Sequence, residues 1–259
     1  MAPPSAALYT PTFFLALLTT LLLCASLRLL AILPDTRFSS PPPRRKSGSS
    51  TRILIVLGSG GHTQEMLYLL KDLDPRKYTH RTWVVSSGDA FSVGRAVAFE
   101  KALEEKAEGE GEQVRGWNIG SAHYDIAIVP RARKIHQSLI TTPFSSLYCL
   151  WACFRPLLIP TTSSSTSSIT DADLPDLIIT NGPATACILI LASLILKFFN
   201  VQGASSRGKC KTIYAESFAR VKTLSLSGKL LVRVVDRFLV QWDGLDGVGG
   251  RAEFVGILV

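Results

Sequence analysis

Residues 53–63 read ILIVLGSGGHT, and this stretch decides the fold. Five apolar residues in succession form a strand buried on both faces, where a half-wet strand would alternate. Gly58, Gly60 and Gly61 end it in a tight turn. The turn opens TQEMLYLLKDL (63–73), where Met66, Leu69, Leu70 and Leu73 recur at helical spacing.

Downstream the same alternation continues. Short β-rich runs fall at 81–86, 126–129, 177–180, 212–215 and 238–241, with helical patterns between them. Leu226, Leu230, Val234 and Val235 mark the last of these helices more loosely. Strand–helix alternation over about six units predicts an α/β domain, Rossmann-like, with a mostly parallel sheet wrapped by helices. EEKAEGEGE (104–112) and TTSSSTSSIT (161–170) read as solvated insertions.

Upstream, residues 13–33 read FFLALLTTLLLCASLRLLAIL, 21 residues with Arg28 as the single charge. A spanning helix needs about 20 apolar residues, and Arg28 is near enough to one end to snorkel. A cleaved signal peptide fits less well, because nothing before Phe13 is basic and the apolar run is long. The sequence thus predicts an anchor at 8–33, a Pro/Ser/basic linker at 34–51 and one domain at 52–259. The formal net charge of +8 divides accordingly. Arg28, Arg37, Arg44, Arg45, Lys46 and Arg52 stand against Asp35 in residues 1–52, a local +5. The other 207 residues carry 22 basic and 19 acidic groups, a local +3. Positive charge following the helix puts the N-terminus outside and the domain in the cytosol. A nearly balanced domain with few aromatics among its basic segments argues against nucleic acid. Cys24, Cys149, Cys153, Cys187 and Cys210 have no zinc spacing and read as buried, reduced thiols of a cytosolic domain.

In a parallel sheet, ligands bind beyond the carboxyl ends of the strands. Gly58, Ser59, Gly60, Gly61, His62 and Thr63 follow the first strand and open a helix, a cradle for phosphate or diphosphate. The turn lacks the Lys-Ser/Thr of a Walker A loop and the third glycine of the dinucleotide motif. His62 reads either as a base or hydroxyl ligand at a helix mouth, or as a surface histidine. Arg131 and Arg133 follow the third strand and suit a diphosphate; a solvated basic loop is the alternative. Asn181 and Gly182 form a second glycine turn after the fourth strand. Glu216 and Arg220 follow the fifth, Glu216 as a sugar-hydroxyl or catalytic carboxylate, or as the partner of Arg220. Residues 139–160, with Phe144, Tyr148, Trp151, Phe154 and Arg155, read as a core helix or as one lying in a membrane interface. Residues 188–199 are too short to span a bilayer and read as core. Phe254, Val255, Ile257, Leu258 and Val259 form an apolar tail that invites a protein partner.

Taken in order, VLGSGGHTQEM, PRARKIHQS, PDLIITNGPATA, IYAESFARVKTLSLSGKLL, DRFLVQW and the terminal GILV, behind an anchor and a basic linker, resemble one family. It is the membrane-anchoring subunit of the two-subunit UDP-N-acetylglucosamine transferase of dolichol-linked oligosaccharide assembly. The resemblance implies transfer of the second N-acetylglucosamine from UDP-N-acetylglucosamine to dolichyl-diphosphate-N-acetylglucosamine, in protein N-glycosylation, on the cytosolic face of the endoplasmic reticulum. It implies a heteromer: this chain as the acceptor-binding half of an inverting GT-B glycosyltransferase, and a soluble catalytic subunit holding the UDP-sugar. The bacterial enzyme that makes lipid II is similar, with a comparable glycine–histidine turn. The expected roles are diphosphate and acceptor binding by Gly58–Gly61, Thr63, Arg131, Arg133, Asn181, Gly182 and Arg220, and a base among His62 and Glu216. The apolar tail is expected to hold the partner. No metal or cofactor is expected, since no Asp-x-Asp motif occurs and helix dipoles with basic groups carry the leaving charge. The 259 residues are expected to be too few for an anchor plus a complete two-domain enzyme, so activity by this chain alone stays open. The alternatives are a pure scaffold without catalytic residues and a membrane-tethered Rossmann-like oxidoreductase.

Overall fold

The computed structural model describes residues 6–34, 51–110, 116–133, 137–138, 140–159, 173–182 and 184–257. The linker basics Arg37, Arg44, Arg45 and Lys46, the serine-rich insertion, and Leu258 and Val259 lie outside them.

Seven strands form one sheet: β1 (Arg52–Leu57), β2 (His80–Ser86), β3 (Tyr124–Val129), β4 (Leu177–Asn181), β5 (Lys211–Ala215), β6 (Arg237–Val240) and β7 (Ala252–Phe254). The order is β3-β2-β1-β4-β5-β6-β7, and every neighbouring pair is parallel. The helices are α1 (Ala6–Ile32), α2 (Gly61–Leu69), α3 (Ala90–Glu110), α4 (Thr142–Leu158), α5 (Ala184–Phe198) and α6 (Leu226–Leu231). The continuous apolar run of β1 splits by parity, because successive strand side chains point to opposite faces. Leu54 and Val56 pack with Cys149, Cys153 and Leu157 of α4 and Leu189, Ala192 and Leu196 of α5. Ile53, Ile55 and Leu57 pack with Met66 and Leu70 at α2 and Ala96 of α3. Helices on both faces of a parallel sheet make the doubly wound α/β domain that the alternation predicts.

Two basic residues have roles different from those expected. Arg52 counts toward the topology charge, yet it is 4% exposed. Its guanidinium donates to Thr82 Oγ1 and to the carbonyls of Pro156, Leu157 and Asp173. It therefore caps the carboxyl end of α4, where a cation complements the helix dipole. Burial draws its pKa down to about 10. Arg28 has partners in the domain: its Nε and Nη2 donate to the carbonyls of Phe198 (2.9 Å) and Lys197 (2.7 Å). The foot of α1 is thus fastened to the carboxyl end of α5. Residues 10–27 of α1 are exposed, and residues 10–32, with mean hydropathy 2.2, are long and apolar enough to cross a membrane.

Two elements differ from the periodicity. In α6 the expected inward residues Leu226 and Leu230 are exposed, and Gly228 and Leu231 are buried. A side chain at 228 would meet the Glu216 carboxylate and approach the Phe238 ring to 3.2 Å. α6 packs through its glycine instead of a leucine stripe. β7, three residues long among glycines, extends the sheet where the sequence offers no alternation. The core reading of residues 188–199 agrees with α5, where Leu189, Ile190, Ala192 and Leu196 are buried.

Candidate active site

The sheet order reverses between β1 and β4, because the chain winds outward from β1 in both directions. Beyond the carboxyl ends of these two strands is the switch point of the sheet, where an open parallel sheet forms its ligand crevice. One wall is the loop Gly58–Gly60 leading into α2. Ser59, Gly60 and Gly61 are exposed there, with Gly60 at the N-cap of α2. Backbone N–H groups at such a helix start suit an anion. Thr63 is turned the other way. It is fully buried, donates to the Gly58 carbonyl and lies 2.7 Å from Ser92 Oγ, which in turn donates to Asp89 Oδ2. Its side chain ties the β1 turn to the β2 turn and does not line the crevice.

His62 stands between the two strand ends. Asn181 Nδ2 donates to its carbonyl at 2.6 Å. Gly182, at φ +72°, lies under its ring: a Cβ there would stand 2.7 Å from His62 Cγ. That position needs both the left-handed backbone and the missing side chain. Asn181 and Gly182 therefore position His62.

The ring has a defined orientation. Nδ1 is buried, without a hydrogen bond at normal distance, and faces Glu65 Oε2 at 3.6 Å. The side chain is still 30% exposed, which leaves Nε2 as the solvent-facing nitrogen. Glu65 is fixed on its other oxygen, where Ser217 Oγ donates to Oε1 at 2.9 Å. Burial alone would raise the Glu65 carboxyl. The hydrogen bond from Ser217, the nearby His62 ring and the Phe218 amide outweigh it and hold the group below the usual carboxylate range. The site thus contains an ionised carboxylate behind an imidazole. A proton on Nδ1 satisfies the buried side, and Nε2 is then the basic nitrogen.

Glu216, the carboxylate singled out from the sequence, is occupied elsewhere. It is 2% exposed. It accepts from the Ser217 amide (3.2 Å) and from the Ser225 amide and hydroxyl (3.0 Å each). Ser225 in turn caps α6, accepting from the Gly228 amide at 2.9 Å. Glu216 fastens α6 to the end of β5. Glu65 and Ser217 were missed by the sequence reading. The available signal was the i, i+3 spacing of His62 and Glu65 in the first turns of a helix.

The remaining predicted residues lie along the same edge. Arg131 Nε donates to the Ser87 carbonyl at 3.1 Å, and Arg133, exposed, donates to the Gln137 carbonyl at 3.2 Å. Their loop sits beside the first turn of α5, where Thr185 Oγ1 accepts from the Ala132 amide and from Ser86 Oγ. Arg220 is exposed after β5. Phe254 is in β7, its amide held by Asp246, and Val255 donates to the Val240 carbonyl. Phe254, Val255 and Ile257 are exposed.

The family model described as "Oligosaccharide biosynthesis protein Alg14 like" matches residues 53–258. Among curated proteins, the UDP-N-acetylglucosamine transferase subunit alg14 of Aspergillus fumigatus is 40% identical over 227 residues, covering 72% of this chain and 96% of that protein. The Schizosaccharomyces pombe protein of the same name is 38% identical, covering 80% and 82%. The Mus musculus protein is 32% identical, covering 80% and 83%. Among solved structures, Acinetobacter baumannii MurG aligns with a TM-score of 0.42 at 12% identity, over 74% of this chain and 41% of that one. Arabidopsis thaliana UGT89C1 aligns at 0.42 and 14%, over 82% and 51%. This chain spans about half the length of those two proteins or less.

Proposed function

The chain belongs to the Alg14-like family of oligosaccharide biosynthesis proteins, and from that premise we propose that it is the acceptor-side, membrane-bound subunit of a two-chain N-acetylglucosaminyltransferase. The supporting observation is the His62–Glu65 pair at the mouth of the β1/β4 crevice. α1 anchors the domain to the endoplasmic reticulum, N-terminus in the lumen. A soluble partner holds UDP-N-acetylglucosamine across the crevice. The acceptor is a lipid diphosphate bearing one N-acetylglucosamine.

The Gly58–Gly61 turn and the α2 amino end take the diphosphate, with Arg131, Arg133 and Arg220 nearby on the same edge. The acceptor hydroxyl points at His62 Nε2, which accepts its proton. The hydroxyl oxygen attacks the anomeric carbon as the bond to UDP breaks on the opposite face, so configuration inverts. Glu65 holds the Nδ1 proton and stabilises the imidazolium that forms. The partner neutralises the departing UDP. Partner recruitment runs through the exposed tail that begins at Phe254.

Reconstitution tests this reading. The chain, in vesicles with UDP-N-acetylglucosamine and a lipid-diphosphate acceptor, is assayed with and without the co-expressed partner. Transfer is expected only with both chains present. Transfer by this chain alone overturns the divided site, and nicotinamide binding in place of transfer would favour an oxidoreductase.

A further inference from the structure

Among the described residues nothing covers the outer face of α4. Its inner face, Cys149, Cys153, Pro156 and Leu157, is buried against the sheet and α5. On the opposite side Phe144, Leu147, Tyr148 and Trp151 follow one another at i, i+3, i+4 and i+7, between 66% and 78% exposed. Ile140, just before the helix, is 81% exposed. Single exposed apolar residues are ordinary; a contiguous aromatic stripe marks an interaction surface. α4 contains no acidic residue, and Arg155 is its one charge.

Three observations identify the occupant. First, α4 packs on α5, which has Leu191 exposed and is followed by the exposed Phe199. α4 and α5 thus share one side of the sheet, and Arg28 ties the foot of the candidate membrane span to the end of α5. Second, Tyr and Trp with an apolar body and a polar tip prefer the headgroup layer, and Arg155 complements lipid phosphate. Third, α4 runs from edge to edge of the domain. Arg52 holds its carboxyl end, while Ser145 and Ser146 hydroxyls both donate to the Ala132 carbonyl, at 2.9 and 3.2 Å. Ala132 lies between Arg131 and Arg133.

We propose that the outer face of α4 lies in the headgroup layer of the bilayer that α1 enters. Its first turn thereby holds the Arg131–Arg133 loop at the level of a lipid-borne diphosphate. Arg28 ties the domain to α1 at one point; a second contact along α4 fixes its tilt. The consequence for the acceptor rests on the function proposed above, whereas the membrane contact does not.

The test uses the full chain, without and with its partner subunit, in phosphatidylcholine/phosphatidylethanolamine vesicles, in a Cys24→Ser background. Trp151→Cys and Tyr148→Cys are labelled with an environment-sensitive fluorophore, with Lys71→Cys as the control. Lipids spin-labelled near the headgroup are expected to quench positions 148 and 151 and to spare 71. Quenching of 148 and 151 by aqueous iodide but not by spin-labelled lipid overturns the contact. So does shielding that appears only when the partner or a second copy is added. A kinetic arm separates this inference from the acceptor reading. Leu147→Glu with Trp151→Glu is expected to raise KM for a long-chain lipid acceptor about tenfold and to leave a short-chain, water-soluble acceptor within twofold. Equal loss on both acceptors contradicts the α4 coupling, while quenching with unchanged KM keeps the contact and contradicts the positioning.

Discussion

His62 gains its chemistry from its neighbours. Asn181 fixes its backbone, Gly182 admits its ring, and Glu65 occupies the buried nitrogen's side. Glu65→Gln keeps the shape and removes the charge that stabilises the imidazolium. We expect kcat to fall about 10–100-fold with KM within twofold, and Glu65→Asp to recover part of the loss, measured on the reconstituted pair. A second residue-scale expectation concerns Asp236, where α5 and β5 meet. It accepts from the Thr212 amide (2.8 Å) and hydroxyl (2.9 Å) and from Lys197 (3.1 Å) and Lys211 (3.2 Å). Burial would raise this carboxyl; the two lysines and Thr212 outweigh it and hold it below the usual range. A depressed value stabilises the fold fully above the ordinary carboxylate pKa and is lost as pH falls below it. Denaturant midpoints should therefore drop more steeply below about pH 4 in wild type than in Asp236→Asn, which costs about 2 kcal/mol at neutral pH.

At the scale of elements, α6 is held by a glycine and a buried carboxylate. Gly228→Ala puts a methyl group against Glu216 and Phe238, and we expect a loss of about 1–3 kcal/mol from overpacking, read from thermal unfolding. This also marks where the sequence was legible. The first six strands are each found within two residues of their apolar runs, because strands buried on both faces announce themselves by continuous hydrophobicity. The buried face of α6 and the whole of β7 were not legible, since a helix packing through glycine has no apolar stripe and a three-residue strand has no period. The glycine–histidine turn was legible by composition. Thr63 and Glu216 were not, because residue type does not say which way a side chain points. Glu65 became visible only when α2 placed it one turn from His62 and β5 brought Ser217 across.

For the whole molecule, topology explains why residues so far apart in sequence share one edge. In a singly directed parallel sheet every strand delivers its carboxyl end to the same side, so 58–62, 131–133, 181–182 and 217–220 converge without local signals. The charge pattern is sharper than its sum: Arg28 and Arg52 are structural, bonded to the carboxyl ends of α5 and α4. The opposite border of the sheet ends in β7 and an exposed tail. Deleting 256–259 spares β7 and should release the soluble partner, seen as loss of co-purification with the fold intact by circular dichroism.

The central claim is that this chain supplies the base while another chain supplies the donor. Single-turnover transfer by the reconstituted pair carrying His62→Ala tests it most directly, with partner binding measured on the same sample. We predict a fall of about 10²–10⁴-fold in the transfer rate with the complex fully assembled. Undiminished transfer by that assembled variant would contradict the account.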